Sequence, residues 1–291
     1  MTTNCCPNST NNILYLKRIT YDGDAFESYY IPAAEVGAAL KKGAVPLLRI
    51  DGAAQNGPKI AIILGQEKHP ERAEKDYSLH PDYADVILEA GGDPYFIFYD
   101  NIREQLENIR PDAIFLIGGV FNSPAAWYDT AVAEDVDKRG RAYLTLLDYA
   151  KEHKLPVLGI CAGMQMLAGY FGAKMQKGIN DGRSPEQSHK QNGEKIAHRV
   201  LIKDGTLLAS IAGRGEIMTN SSHNEAVIAG SCGNSPVTAQ AEDGVVEAIE
   251  PANGWNRFLL GVQWHPERLV KHGDETAKAI FRAFVESAKH E

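Results

Sequence analysis

The chain has 291 residues, 44% of them hydrophobic and 23% charged, with a formal net charge of -8. This is the composition of an ordinary globular protein, long enough for one large core or a domain with an extension. The acidic balance and the lack of a long basic run argue against nucleic acid as a ligand, and no apolar stretch is long enough to span a bilayer, so no membrane partner is expected.

Residues 1–12 form a polar tail without the apolar core of a signal peptide. Cys5 and Cys6 in this tail read as ordinary thiols rather than a lipid anchor or a metal pair. The four cysteines, at positions 5, 6, 161 and 232, form neither a disulfide framework nor a metal-binding spacing. A reducing, cytoplasmic compartment is therefore expected, with no metal and no cofactor.

Residues 13–57 look like an N-terminal extension. Ile13–Leu16 and Val45–Ile50 read as short strands, with a small helix over Ala33–Leu40 between them. The apolar residues Ile13, Leu14, Leu16, Phe26, Tyr29, Tyr30 and Ile31 call for packing on the main domain, against a second subunit in a homodimer, or over the site as a lid. Asp51–Pro58 is rich in turn formers and marks a boundary; residues 58–291 form the main domain.

From that boundary, strands and helices alternate. Lys59–Leu64 is a continuous apolar run, as in a strand buried on both faces. A helix with Tyr83, Val86, Ile87 and Ala90 on one stripe follows, closed by Gly91-Gly92. Tyr95–Phe98 is a strand, Ile102–Ile109 a helix, and Ala113–Ile117 a strand stopping at Gly118-Gly119. A longer helix carries Tyr143, Leu146, Leu147 and Ala150. Beyond residue 175, a polar loop over 178–193 precedes strands at Ile196–Lys203, Pro236–Ala241, Val245–Ile249 and Phe258–Gln263, with a hairpin signal at Asp243-Gly244. A last helix covers about 274–288. The predicted fold class is α/β: a three-layer, flavodoxin-like, mostly parallel sheet with helices on both faces and an antiparallel extension. Ligands bind such sheets beyond the carboxyl ends of the strands.

One strand, from Leu155, runs into Gly159-Ile160-Cys161-Ala162-Gly163, the cysteine version of a strand–nucleophile–helix elbow. The helix N-terminus favours an anion at Cys161. A base is still needed, and Gly261-Val262-Gln263-Trp264-His265-Pro266-Glu267 supplies a candidate. There a strand ends at His265, and Glu267 lies close enough to accept from one ring nitrogen while the other faces the thiol.

These two motifs resemble the class I glutamine amidotransferase-like family. Asn220–Val227 and Ala241–Glu250 are similar to two motifs of its gamma-glutamyl-gamma-aminobutyrate hydrolase branch, peptidase family C26. The similarity runs from about Lys59 to Ala288. It implies a triad of Cys161, His265 and Glu267 acting on a small-molecule gamma-glutamyl substrate, with an oxyanion hole at the Gly119 and Ala162 N–H groups. It also implies substrate-binding roles for Gln165, Ser222 and His223. His223 reads equally as a loop residue satisfied by backbone groups, and His189 and His198, which match branch histidines, are given no role in proton transfer.

The chain departs from the branch at Ala162, where relatives usually carry arginine, and at Glu225, where they carry glutamine. Arg139 takes the arginine of the branch's helix motif, while Val136, Gly140 and Tyr143 stand at its acid positions. These changes put gamma-aminobutyrate in doubt as the leaving amine. An α/β-hydrolase is disfavoured because the acid follows the histidine by only two residues. A glutaminase subunit passing ammonia to a separate synthase remains the alternative. A non-catalytic binding protein would be expected to have lost part of the triad.

Overall fold

The computed structural model describes residues 13–20, 27–43, 45–51, 56–68, 75–251 and 258–289. Cys5, Cys6 and Phe26 lie outside them. In chain order the first elements are strands β1 (Ile13–Thr20) and β2 (Glu27–Ile31), helix α1 (Ala33–Lys41) and β3 (Leu47–Ile50). There follow β4 (Lys59–Ile63), β5 (Gly65–Lys68), β6 (Lys75–Leu79), α2 (Pro81–Glu89), β7 (Asp93–Ile97), α3 (Ile102–Ile109) and β8 (Ala113–Leu116). Then come α4 (Lys138–His153), β9 (Val157–Ile160), α5 (Ala162–Tyr170), β10 (Met175–Lys177) and β11 (His198–Ile202). The chain continues through α6 (Leu207–Ala212), β12 (Glu216–Thr219), β13 (Glu225–Val227), β14 (Val237–Ala241) and β15 (Val246–Ile249), and ends with β16 (Leu259–Val262), α7 (Pro266–Val270) and α8 (Glu275–Ser287).

Fourteen of the strands form one sheet in the order β12-β11-β14-β15-β16-β9-β8-β4-β7-β3-β1-β2-β6-β5. Its centre, β16-β9-β8-β4-β7, is parallel throughout. These strands read as unbroken apolar runs because both their faces are covered: Ile60–Ile63, Ile114–Leu116 and Leu259–Val262 are buried. Phe115 of β8 meets Phe281 and Phe284 of α8 at ring separations of 6.0 Å. From β4 the chain first adds β7 on one side and then β8 on the other. This strand-order reversal opens a crevice at the carboxyl ends of β4 and β8. Beyond β16, strands β15, β14, β11 and β12 continue the sheet antiparallel, with Gly244 at φ +84° in the β14–β15 hairpin.

Two regions extend the predicted pattern. The N-terminal strands join the sheet: β3 pairs antiparallel with β7, β1 lies parallel on β3, and β2 runs beside β6. A buried ion pair between Arg49 and Asp93 ties β3 to β7, with the guanidinium 4.7 Å from the Tyr95 ring centre. The chain also forms the β5–β6 hairpin before α2, where the sequence pattern passed directly from strand to helix. The hairpin escapes hydrophobic patterning because it buries polar residues: Asp76 and Ser78 are as inaccessible as Tyr77 and Leu79.

Candidate active site

Cys161 sits between β9 and α5 with φ 53° and ψ -111°, a positive-φ conformation that a non-glycine residue adopts only under local constraint. The glycines around it are steric necessities. A Cβ on Gly163 would overlap the Leu116 carbonyl, and one on Gly159 would lie 2.8 Å from the Gly163 carbonyl oxygen. With both absent, β9 turns directly into α5 against the end of β8. The Cys161 N–H donates to the Val262 carbonyl at 2.8 Å, which fixes the elbow beside the end of β16.

The chain past β16 delivers the histidine. The buried Asn220 brackets His265: its Oδ1 accepts from the His265 N–H at 2.8 Å and its Nδ2 donates to the His265 carbonyl at 2.8 Å. Pro266 then opens α7, so Glu267 falls in the first turn of that helix. His265 Nδ1 and Glu267 Oε1 are 2.6 Å apart, and both side chains are almost wholly buried. The His265 ring lies close to Cys161, both bordering the space beside Gly118. With Nδ1 on the carboxylate, Nε2 is the nitrogen left for the thiol. Burial alone would lower the imidazolium pKa, but the Glu267 carboxylate and Cys161 outweigh it and push it up to about 9. Glu267 is held below the usual carboxylate range: burial opposes this, and the charge and hydrogen bond of His265 prevail.

Gly118 and Gly119 cross directly over this group. A Cβ on Gly118 would stand 2.8 Å from the Tyr83 hydroxyl, 2.9 Å from His265 Cε1 and 3.4 Å from Cys161 Cβ. The Gly118 N–H donates to the Tyr83 hydroxyl at 3.2 Å, and its carbonyl accepts from Arg139 Nη2 at 2.9 Å. Gly119 has φ +144°, and any side chain there would strike the Arg139 guanidinium. The peptide carrying the Gly119 N–H is thus clamped from both sides. Ala162 opens α5, so its N–H has no acceptor within the helix.

Gln165 lies one turn into α5 and is buried. Its Nε2 donates to the Glu225 carbonyl at 3.0 Å and to Gln263 Oε1 at 3.1 Å, while Gln263 Nε2 is buried without a hydrogen-bond partner among the described residues. Ser222 forms an isolated bridge with Lys190. His223 turns away toward a separate group: Nδ1 is 2.9 Å from the Glu225 carbonyl, and Nε2 faces Glu247 at 3.6 Å. His189 and His198 gather around the same Glu247.

A cleft of about 360 Å³ opens on the His265 side of this group. Gly65, Gln66 and Ser78 of the β5–β6 hairpin wall one side; Gly119 and Arg139 wall the other. Arg139 stacks against Phe121 and Tyr143 at 5.1 and 5.6 Å from the ring centres. No carboxylate among the described residues stands within ion-pair distance of it.

Sequence patterning missed three contributors: Tyr83, Asn220 and the hairpin. Tyr83 was legible only as part of an apolar stripe, although a tyrosine buried there must find a partner for its hydroxyl. Asn220 lies inside a family-like motif, where nothing in the pattern sets it apart from its neighbours.

Several known proteins are similar to this chain. A glutamine amidotransferase-like protein of Rickettsia prowazekii is 31% identical over 261 residues, spanning 74% of this chain and 90% of that one. The gamma-glutamyl-gamma-aminobutyrate hydrolase of Escherichia coli is 27% identical over 254 residues, spanning 81% of this chain and 95% of the hydrolase. The crystal structure of a GMP synthase subunit from Thermoplasma acidophilum shares the fold at a TM-score of 0.55 and 20% identity, covering 81% of this chain and 96% of that one. The Peptidase C26 model matches residues 58–267, the stretch holding the elbow, the clamped glycines and the His265–Glu267 pair, and the chain belongs to that glutamine amidotransferase-like family.

Proposed function

We propose that the protein is a cysteine-dependent hydrolase that cleaves gamma-glutamyl amide bonds through a thioester on Cys161. The observation that carries this reading is the buried His265–Glu267 pair at 2.6 Å, standing beside the Cys161 elbow. In the first half-reaction the Cys161 sulfur attacks the gamma carbonyl. The oxyanion takes hydrogen bonds from the Gly119 and Ala162 N–H groups, each such donor being worth about 10²–10³ in rate. His265 passes a proton from Nε2 to the leaving nitrogen as the C–N bond breaks. In the second, His265 takes a proton from water, which attacks the thioester; the C–S bond breaks and the free gamma-carboxylate leaves. Glu267 holds the ring orientation and stabilises the imidazolium without itself taking the proton.

Gln165, whose Nε2 is held by the Glu225 carbonyl and Gln263, would offer its amide oxygen to the glutamyl group. Ser222 and His223 would act on the glutamyl group only indirectly, His223 through the Glu225 carbonyl that it shares with Gln165. Arg139 brings a cation without a carboxylate partner into the cleft, which favours an amine half that itself bears a carboxylate.

The test is a screen of gamma-glutamyl amines and gamma-glutamyl peptides with release of free glutamate as the readout. Hydrolysis of several, abolished in Cys161→Ala, is the expected result; near-normal turnover in that variant would falsify the assignment. Hydrolysis of glutamine alone, stimulated by an added synthase, would instead favour an ammonia-delivering subunit, the role suggested by the amidotransferase names of some relatives.

A further inference from the structure

Glu247 of β15 is completely buried, and neither of its carboxylate oxygens has a hydrogen-bond partner among the described residues. Three histidines surround Oε1: His189 Nδ1 at 3.3 Å, His198 Nε2 at 3.5 Å and His223 Nε2 at 3.6 Å. They arrive from separate segments: the 178–197 loop, the start of β11, and the turn after β12. The inward nitrogens of His198 and His223 are likewise buried without a hydrogen-bond partner.

The outward nitrogens determine what the inward ones carry. His223 Nδ1 faces the Glu225 carbonyl at 2.9 Å, and His198 Nδ1 faces the Arg199 carbonyl at 3.2 Å. A carbonyl only accepts, so each Nδ1 holds the ring proton. His189 Nε2 faces the Asp243 carboxylate at 3.0 Å, another acceptor. The hydroxyl beside His189 Nδ1, that of Ser221, already donates to the His189 carbonyl at 2.8 Å. The inward nitrogens of three rings thus converge on one buried carboxylate oxygen, an arrangement that a cation between them would hold together.

The distances favour a metal ion over protons. At 3.3–3.6 Å the contacts are longer than ordinary N–H···O hydrogen bonds. They match the spacing of two ligands on one tetrahedral ion: with bonds of about 2.0–2.1 Å, ligand atoms stand about 3.3–3.4 Å apart. The donor atoms of His189, His198 and Glu247 all lie within 4.8 Å of one another. The outward contacts supply the carboxylate–histidine–metal support typical of such sites.

We propose that His189, His198 and Glu247 form a binding site for a divalent transition metal, zinc by its ligand set, with His223 beside it facing the same carboxylate oxygen. Three protein ligands leave a fourth position for His223 or water. The ion pins the 178–197 loop and β11 to β15. A neighbouring cavity of about 350 Å³, lined by His189, His198, Arg183, Glu186, Glu242 and Asp243, gives an approach to the partly exposed His198 side.

The test uses the full chain in a Cys161→Ala background, which removes the thiol that, among the described residues, stands beside a histidine, and makes the result independent of the hydrolase reading. Protein stripped with a chelator is dialysed against zinc or cobalt and its metal content measured. The proposal expects about one ion per chain, the visible ligand-field bands of tetrahedral cobalt, and a raised thermal midpoint. Asp243→Asn should weaken affinity about 10–100-fold while keeping the cobalt spectrum. His198→Gln, at the most accessible ligand and therefore the least hazardous to folding, should abolish stoichiometric binding. Folded, stripped protein that takes up neither metal, or uptake unchanged in a His198→Gln/His223→Gln double variant, overturns the proposal.

Discussion

The chain buries two histidine–carboxylate assemblies, and they differ by an ångström. His265 and Glu267 meet at 2.6 Å; the histidines around Glu247 stop at 3.3–3.6 Å. In the first, the ring proton points at the carboxylate, and the opposite nitrogen is free to exchange a proton with a thiol. In the second, the outward ring nitrogens face the Glu225 carbonyl, the Arg199 carbonyl and the Asp243 carboxylate, and the inward ones converge on Glu247. On the two proposals, the same residue types serve proton transfer in one place and a ligand set in the other. The deciding variable is which nitrogen finds an acceptor outside the pair.

Substitutions that distinguish the two assemblies have the largest expected effects. His265→Ala should lower kcat on the best gamma-glutamyl substrate by about 10⁴-fold or more, with metal content unchanged. Equal activity in that variant would remove the proton-transfer assembly from the chemistry. Glu267→Gln leaves the geometry nearly intact and removes the charge. A loss of about 10⁴ in kcat is expected by analogy with other triads. It should also move the alkaline limb of kcat/KM. In the native protein His265 must be protonated to assist the leaving amine, so activity declines as pH rises through about 9. Without the carboxylate that limb shifts to lower pH. A profile that keeps its position would show that Glu267 is not what raises the imidazolium.

The elbow and the His-Pro-Glu turn were legible because each packs its chemistry into a few consecutive residues. Strand, glycine, cysteine and glycine specify a turn on their own, and two residues separate His265 from Glu267. The parallel centre was legible for a related reason, since burial on both faces writes itself as an unbroken apolar run. The Glu247 assembly has no such signature. Its members stand at 189, 198, 223 and 247, and only the antiparallel pairing of β11, β14 and β15 brings them together. From sequence no metal is expected, and spacing offers nothing against that. The β5–β6 hairpin hid for the opposite reason: its interior is polar, and its pairing with β2 depends on residues far upstream. That pairing shows how the N-terminal strands bear on the cleft, since they hold the hairpin that forms its wall.

Intermediate effects are expected at the cleft. Arg139→Met should raise KM more for substrates whose amine half carries a carboxylate than for neutral gamma-glutamyl amides. Because Arg139 also holds the Gly118 carbonyl, kcat should fall for both kinds. The informative quantity is the ratio of kcat/KM between them, and a loss of a single charge-assisted contact corresponds to roughly tenfold or more. A ratio that does not move would confine Arg139 to positioning the glycine strand.

The smallest expected effect concerns stability rather than turnover. His265 titrates near 6.5 in an unfolded chain and at about 9 in the folded one, so the folded state binds its proton more tightly. The stability this contributes is fully present below about pH 6.5 and is lost as pH rises through about 9. Denaturant midpoints measured across that window should therefore fall with rising pH, and the fall should shrink in His265→Gln. A slope that survives His265→Gln undiminished would remove the proton linkage from the His265–Glu267 pair.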